Sequence, residues 1–403
     1  MTHDAHHEIL KKHVQVLPSH HRMYQSPVNT KVSKQQHVRY VRQNLSAQGS
    51  WGGVLTFQVN QSDFVRNCVL YLKGADLGAN QTLLPNMMAN AINKVLIRIG
   101  NSDQITLPAS SQQILLEYGQ CQSQNKRDEI ARLAGQPAVA GSVEGLMILK
   151  LPFSSVNQIV GLQSYLLGSP ITIDVYLNSA PGIIIGGANQ ASYSNALQVA
   201  QLYVETVVPI GDTSEVQMLP PSSDAFIDYF FKRAIQVGNI TVASTANVLN
   251  QTTLTNLQAG RLCGILITAL SATKASAGNA NSYARLSDIQ LQLNGQNLFN
   301  CPNYSFEMFD LNNSNSKGVV IPAYEVGGAL VDAYKYYFKF QTQGIENDMD
   351  FIEISSGQNL GNNQLVFSYK TPTTDTYTLF ITYVYQACIR MRGDKTVDIF
   401  NLM

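Results

Sequence analysis

The sequence predicts an all-β chain of two tandem antiparallel β-sandwiches. Three observations carry that prediction. From Trp51 onward the chain is a succession of short alternating runs rich in Val, Ile, Leu, Thr, Tyr and Phe, separated by turns of Asn, Gly, Ser and Pro. These runs do not alternate with helical stretches, so a parallel βαβ sheet is not indicated. The order and spacing of the runs in the first half recur in the second.

Composition sets the bounds. The 403 residues leave room for two or three domains. Lys and Arg number 27, Asp and Glu also 27, so the formal charge is zero and only 13% of residues are charged. Asn (32) and Gln (33) together outnumber the ionised groups. A surface wetted by amides is unusual for a free monomer, which relies on charge for solubility, and suits a subunit packed against neighbours. With 45% hydrophobic residues the chain can bury a real core, which excludes general disorder. No apolar run reaches 18 residues, so no transmembrane helix is expected. The first residues lack an apolar signal core, so Sec-type secretion is not expected. Five scattered cysteines (Cys68, Cys121, Cys263, Cys301, Cys388) contain no CxxC pair, which argues for reduced, buried thiols rather than a disulfide framework or zinc site.

The elements follow in order. Residues 1–48 form a basic arm. All seven histidines lie in the first 37 residues, and residues 1–45 carry seven Lys/Arg against Asp4 and Glu8, a net +5 on a body of −5. Leu10, Val14 and Leu17, with Ile9 beside them, fall at helical spacing. Glu8 and Lys12 form an i,i+4 pair, Lys11 and Lys12 sit late where the helix dipole favours them, and Pro18 ends the pattern. A polar, Gln-rich strap with Arg22, Lys31, Lys34, Arg39 and Arg42 follows. The first sandwich, residues 49–210, has expected strands at 54–59, 65–72, 95–99, 114–118, 145–151, 171–177 and 197–208. A helix is expected at 125–135, with Asn125 as N-cap and Gly135 as stop, and a weaker one at 155–167. Residues 211–224, with Pro220-Pro221, read as a linker. The second sandwich, residues 225–403, has expected strands at 235–242, 262–270, 289–293, 304–309, 334–340, 351–354, 365–369 and 377–392.

The repeat is visible as co-linear matches. Cys68-Val-Leu-Tyr-Leu aligns with Cys263-Gly-Ile-Leu-Ile at an offset of 195, and Ile97-Arg-Ile-Gly-Asn with Leu291-Gln-Leu-Asn-Gly at 194. Ile173-Asp-Val-Tyr aligns with Val366-Phe-Ser-Tyr at 193, and Tyr203-Val-Glu-Thr with Tyr383-Val-Tyr-Gln at 180. Each match is weak alone, but their order over 150 residues indicates internal duplication. Seven or eight strands per half is the count of a jelly roll.

Catalytic chemistry is hard to place. The absence of His after residue 37 removes His-based triads and His metal sites from the folded body. Glu346, Asp348, Asp350 and Glu353 form the one carboxylate cluster, read as a solvated loop with a weak cation site as alternative. The 182–187 stretch, Gly-Ile-Ile-Ile-Gly-Gly, lacks the Lys-Ser/Thr of a phosphate loop and reads as a mobile loop. Trp51 is expected in the core. Arg390, Arg392 and Lys395 form a candidate second basic spot. No catalytic residue, metal ligand or cofactor is expected.

A basic amphipathic arm, two co-linear sandwich repeats, few charges and no catalytic set together resemble the double-jelly-roll major capsid proteins of tectivirus-like, membrane-containing icosahedral viruses, bacteriophages among them. The resemblance is one of plan and covers the whole chain. It implies a homotrimer of pseudo-hexagonal outline, tiling a virion shell over an internal lipid membrane, with minor capsid or penton proteins as partners. It also implies no sequence-specific nucleic-acid binding and synthesis in the host cytoplasm. The arm (Ile9, Leu10, Lys11, Lys12, Val14, Leu17, Arg22, Lys31, Lys34, Arg39, Arg42) would dock on the membrane or a neighbouring subunit. Both termini would lie at the base, and loops 120–136, 182–195, 272–282 and 311–328 would form outer towers. The alternative is a carbohydrate-binding or glycan-processing double β-sandwich. Against it stand a single Trp and no acid pair.

Overall fold

The computed structural model describes residues 36–43, 49–59, 64–78, 81–83, 87–100, 102, 104–108, 133, 135, 141–149, 162–164, 167–179, 184–185, 193–209, 226–237, 239–254, 256–276, 283–301, 318–321, 324–326, 329–331, 334–340, 352–354 and 364–402.

In the first half the principal strands are β1 (Gln36–Gln43), β2 (Val54–Val59), β3 (Phe64–Gly74), β4 (Ile92–Arg98), β5 (Ile105–Pro108), β6 (Glu144–Leu149), β7 (Ile171–Leu177) and β8 (Leu197–Pro209). They form two sheets, ordered β1-β8-β3-β6 and β2-β7-β4-β5, with all ladders antiparallel. In the second half they are β9 (Phe226–Gln236), β10 (Ile240–Ser244), β11 (Leu249–Leu254), β12 (Gly260–Ser271), β13 (Ser287–Leu293), β14 (Gln296–Cys301), β15 (Gly318–Ile321), β16 (Lys335–Lys339), β17 (Leu365–Lys370), β18 (Asp375–Arg392) and β19 (Val397–Asn401). Their sheets run β9-β18-β12-β16-β15 and β11-β17-β13-β14. Chain position and sheet neighbours therefore repeat strand for strand: β1 to β8 correspond to β9/β10, β11, β12, β13, β14, β16, β17 and β18.

The alternation seen in sequence becomes the two-layer core. Along β7, Ile171, Ile173, Val175 and Leu177 are buried and their neighbours half-exposed. They meet Leu70, Leu72, Leu202 and Val204 of the facing sheet in one cluster. In the second half Phe338 packs edge-on against Phe299 and Phe367, with centroids 5.3 and 5.9 Å away, and Phe367 stacks on Tyr369 at 4.9 Å.

The two sandwiches share β18. Its first half (Tyr377, Leu379, Ile381, Tyr383, Tyr385) belongs to the second core. Its last half (Ala387, Ile389, Met391), with Tyr229 and Phe231 of β9 and Val397 of β19, is buried in the first core. An 18-residue strand is about 60 Å long, enough to reach both.

Several expectations need correction. The strap, which shows no clear periodicity in sequence, contains β1, which pairs with β8 from Gln36–Pro209 to Gln43–Leu202. The single strand expected at 235–242 is two, β9 and β10, broken at Val237 to Asn239. The weak helix at 155–167 contains a two-residue strand, Leu162–Gln163, paired with β3. The 182–187 loop contributes Ile184–Ile185 to a pair with Thr82–Leu83. The Ile173–Val366 alignment is one residue short: Ile97 pairs with Ile173, and its counterpart Leu291 pairs with Phe367. A one-residue slip turns a side chain to the opposite face, and Phe367 is buried where Val366 is not. Strands expected at 114–118 and 304–309, the arm helix, and linker 211–224 lie outside the described residues, as does the 125–135 helix apart from Leu133 and Gly135.

Candidate functional site

Strand polarity divides the molecule into two ends. β1 begins where β8 finishes, and β9 begins where β18 finishes (Phe226 opposite Arg392). The chain before Gln36, the connection between the halves and the hairpin into β19 therefore all attach at one end, called basal here. The strand ends flanking 120–136, 182–195, 272–282 and 311–328 lie at the opposite end. Within those four loops the described residues are few. They include Ile184–Ile185, the one-turn helix α1 (Ala272–Ser276), and β15 with the hairpin Tyr324–Val326/Ala329–Val331, which starts inside the last loop.

Of the arm residues, Ile9, Leu10, Lys11, Lys12, Val14, Leu17, Arg22, Lys31 and Lys34 lie outside the described residues. Arg39 and Arg42 stand on β1, and Arg42 is exposed. Arg39 pairs across to Thr206 and Tyr40 to Glu205. Glu205 is buried. It accepts a 2.9 Å hydrogen bond from Asn67 Nδ2 and lies 3.5 Å from Arg66.

The expected second basic spot is not a surplus of positive charge. Arg390 donates from Nε and Nη2 to the two carboxylate oxygens of Asp228, each at 2.8 Å. Its guanidinium lies 4.3 Å from the ring centroid of Phe226 and 5.3 Å from that of Phe400. The Asp228 hydrogen bonds raise its pKa further. Arg392 donates from Nε to Asp398 at 2.8 Å. Lys395 is exposed, in the turn that also holds Asp394. Three cations thus share the spot with three carboxylates. Arg390 and Asp228 are 162 residues apart, and only the β9–β18 ladder sets them opposite each other, so the sequence shows the cations and hides their partners.

The buried thiols offer no reactive centre. Cys68, Cys263 and Cys388 are buried and take part in no disulfide. Desolvation pushes the Cys68 and Cys388 thiols far above their ordinary range, which keeps them protonated. Among the described residues no three His, Cys, Asp or Glu side chains cluster as a metal site, and no helix is long and apolar enough to cross a membrane. Trp51 is 4% exposed, at the turn into β2.

No protein-family model and no curated protein matches the chain. Solved structures do. VP54 of the virus PBCV-1, fitted into a reconstruction of the virophage Sputnik, matches with a TM-score of 0.66 at 13% identity, over 93% of this chain and 98% of that one. The major capsid protein of Faustovirus matches at 0.55 and 9% identity over 92% and 91% of the two chains. That of mavirus matches at 0.53 and 10% over 97% and 95%. The chain is a double jelly roll of the kind found in viral major capsid proteins. In that double jelly roll the likeness spans both halves, and at such low identity it is one of fold.

Proposed function

We propose that the chain is a non-catalytic coat subunit. Three copies form a capsomer of pseudo-hexagonal outline, because three chains of two like sandwiches present six like flanks. Capsomers tile an icosahedral virion shell over an internal membrane, with the basal end inward. The observation that carries this reading is the strand-for-strand repeat of sheet order through the whole chain, matched end to end by capsid proteins. The amide-rich, charge-poor composition supports it, since interfaces are depleted of charge at their cores. The glycan-binding alternative gains no support, because the single Trp is buried in the core rather than offered as a platform.

Minor capsid or penton proteins would complete the shell, with the subunit made in the host cytoplasm. The arm attaches at the basal end and carries the chain's histidines and its basic excess. It docks on anionic lipid or on a neighbouring capsomer, each basic group near an anionic surface contributing about 1 kcal/mol. The test deletes residues 1–35 and retains β1, since a longer cut would remove an edge strand of the first sheet. Trimers that form but no longer bind anionic vesicles, or no longer close into shells, are expected. Unchanged vesicle binding and unchanged shell assembly would refute a docking role for the arm.

A further inference from the structure

The two halves meet inside the chain along one seam. Among the described strands, β5 is an edge of the first half's sheet β2-β7-β4-β5, and β9 an edge of the second half's sheet β9-β18-β12-β16-β15. These two edges pack against each other. Tyr229 and Phe231 of β9 are buried there in one core with Ile105 and Leu107 of β5. Each edge has a duplicate in the other half. Leu70 opposite Leu202 corresponds to Ile265 opposite Tyr383, so β1 holds in the first half the place of β9, with Tyr40 equivalent to Lys232 and Arg42 to Ala234. Ile97 opposite Ile105 corresponds to Leu291 opposite Phe299, so β14 holds in the second half the place of β5, with Asn300 equivalent to Thr106.

On the outward faces the duplicates are more exposed than the edges that meet. Ala234 is buried and Lys232 half-buried, whereas Arg42 is exposed and Tyr40 is 58% exposed. One strand further in, Thr382 and Val384 of β18 are buried, whereas their equivalents on β8, Gln201 and Tyr203, are half-exposed. Thr106 is half-buried, whereas Asn300 is exposed, as are Gln296 and Asn297 on the same strand. The flank led by β9 is thus covered, and its duplicate led by β1 is open. The edge that would fit it, by the pattern of the internal seam, is β14.

We infer that β14 of one copy seats on the β1 edge of another, repeating between chains the seam that β5 and β9 make within one. The occupant of the β1 flank is therefore the second half of a second copy. The contact joins unlike surfaces, so it runs head to tail and closes as a ring rather than as a two-fold dimer. Three copies alternate first and second halves six times around that ring. This assignment rests on the capsomer reading and names the strands that build it. The seam between copies also differs in chemistry from the internal one. His37 and Arg39 hold the register positions of Tyr229 and Phe231, and β14 brings Gln296, Asn297 and Asn300. It is the more polar of the two seams, as suits a contact made after folding rather than a core.

The test places the photoreactive amino acid p-benzoylphenylalanine at position 40 of the full chain in one preparation and at position 300 in another, both exposed sites. Adducts between copies run as dimers on a denaturing gel, and mass spectrometry locates them. The probe at Tyr40 is expected to join residues 296–301 of another copy, and the probe at Asn300 to join residues 36–43. Adducts confined to the same chain show that the chain covers its own flank, and overturn the inference. Trimers seen by light scattering, with inter-copy adducts at other strands, overturn the seam and leave the capsomer reading standing. A chain that stays monomeric overturns both. Substitution gives a second readout. Asn300→Lys sets a like charge against the basic β1 and is expected to weaken assembly about ten-fold or more with the melting temperature of the subunit unchanged. Adding Arg42→Glu to Asn300→Lys is expected to recover assembly. Assembly unaffected by Asn300→Lys would count against the seam even where trimers form.

Discussion

Replacing Arg390 by Met should lower the melting temperature by about 4–6 °C. Asp228 is 6% exposed, and Arg390 supplies both of its 2.8 Å charged hydrogen bonds. Removing one partner of a buried pair leaves the other charge uncompensated, at a cost of about 3–5 kcal/mol. The stacking on Phe226 and Phe400 is lost with the guanidinium. Unfolding entropy of ~2.1 cal/mol/K per residue gives about 0.8 kcal/mol/K for this chain, which converts that cost into the stated shift. Asp228→Asn alone should cost less, about 1–2 kcal/mol, because Arg390 keeps its side chain 27% in water. The double variant Asp228→Leu/Arg390→Met should recover most of the loss, since a buried pair replaced by apolar groups is often neutral. Differential scanning calorimetry on the four proteins compares these costs. If Arg390→Met shifts the midpoint by less than 1 °C, the pair behaves as a surface ion pair and the reasoning is wrong.

Three further outcomes are expected. Ile389→Ala, on the part of β18 buried in the first core, should cost about 2–5 kcal/mol and shift one shared transition; calorimetry resolving two transitions, only one of them displaced, would show the sandwiches to be independent. Cys68 and Cys388 should resist a thiol reagent at pH 8 in the native protein and react once it is denatured, and rapid native labelling would contradict their burial. Asp375, held below the ordinary 3.8 chiefly by the Thr273 N–H, and Asp394, held below it chiefly by the Thr396 hydroxyl, contribute stability that is complete above about pH 4 and lost as the pH falls through their lowered values. Asp375→Asn should therefore flatten the acid limb of a stability-against-pH curve below pH 4, and an unchanged limb would refute that contribution.

The sequence displays what alternation encodes. β7 coincides with its expected limits because four apolar residues alternate with polar ones and both ends are marked by turns. β11, Leu-Asn-Gln-Thr-Thr-Leu, lacks the apolar alternation of the other strands because it is an edge strand whose inward positions are Asn250, Thr252 and Leu254. β1 was hidden for the same reason, its arginines reading as part of a basic tail. The offsets of 195 and 194 joined the correct strands, while those at 193 and 180 each slipped a residue: β17 is buried at three successive positions, 367 to 369, and Tyr383, buried in the second core, corresponds to Leu202 rather than to half-exposed Tyr203. Local pattern could not show that β18 serves two cores, since its inward residues look alike from Tyr377 to Met391. At the basal end the sequence showed Arg390 and Arg392 but not the carboxylates that neutralise them.

The central claim is that this double jelly roll is built to assemble with copies of itself. Light scattering on the purified full chain at micromolar concentration and physiological salt, coupled to size-exclusion chromatography, tests it most directly. A mass about three times the 44.3 kDa chain is expected, and negative-stain images of that peak should show a hexagonal outline. A stable monomer under the same conditions would contradict the account.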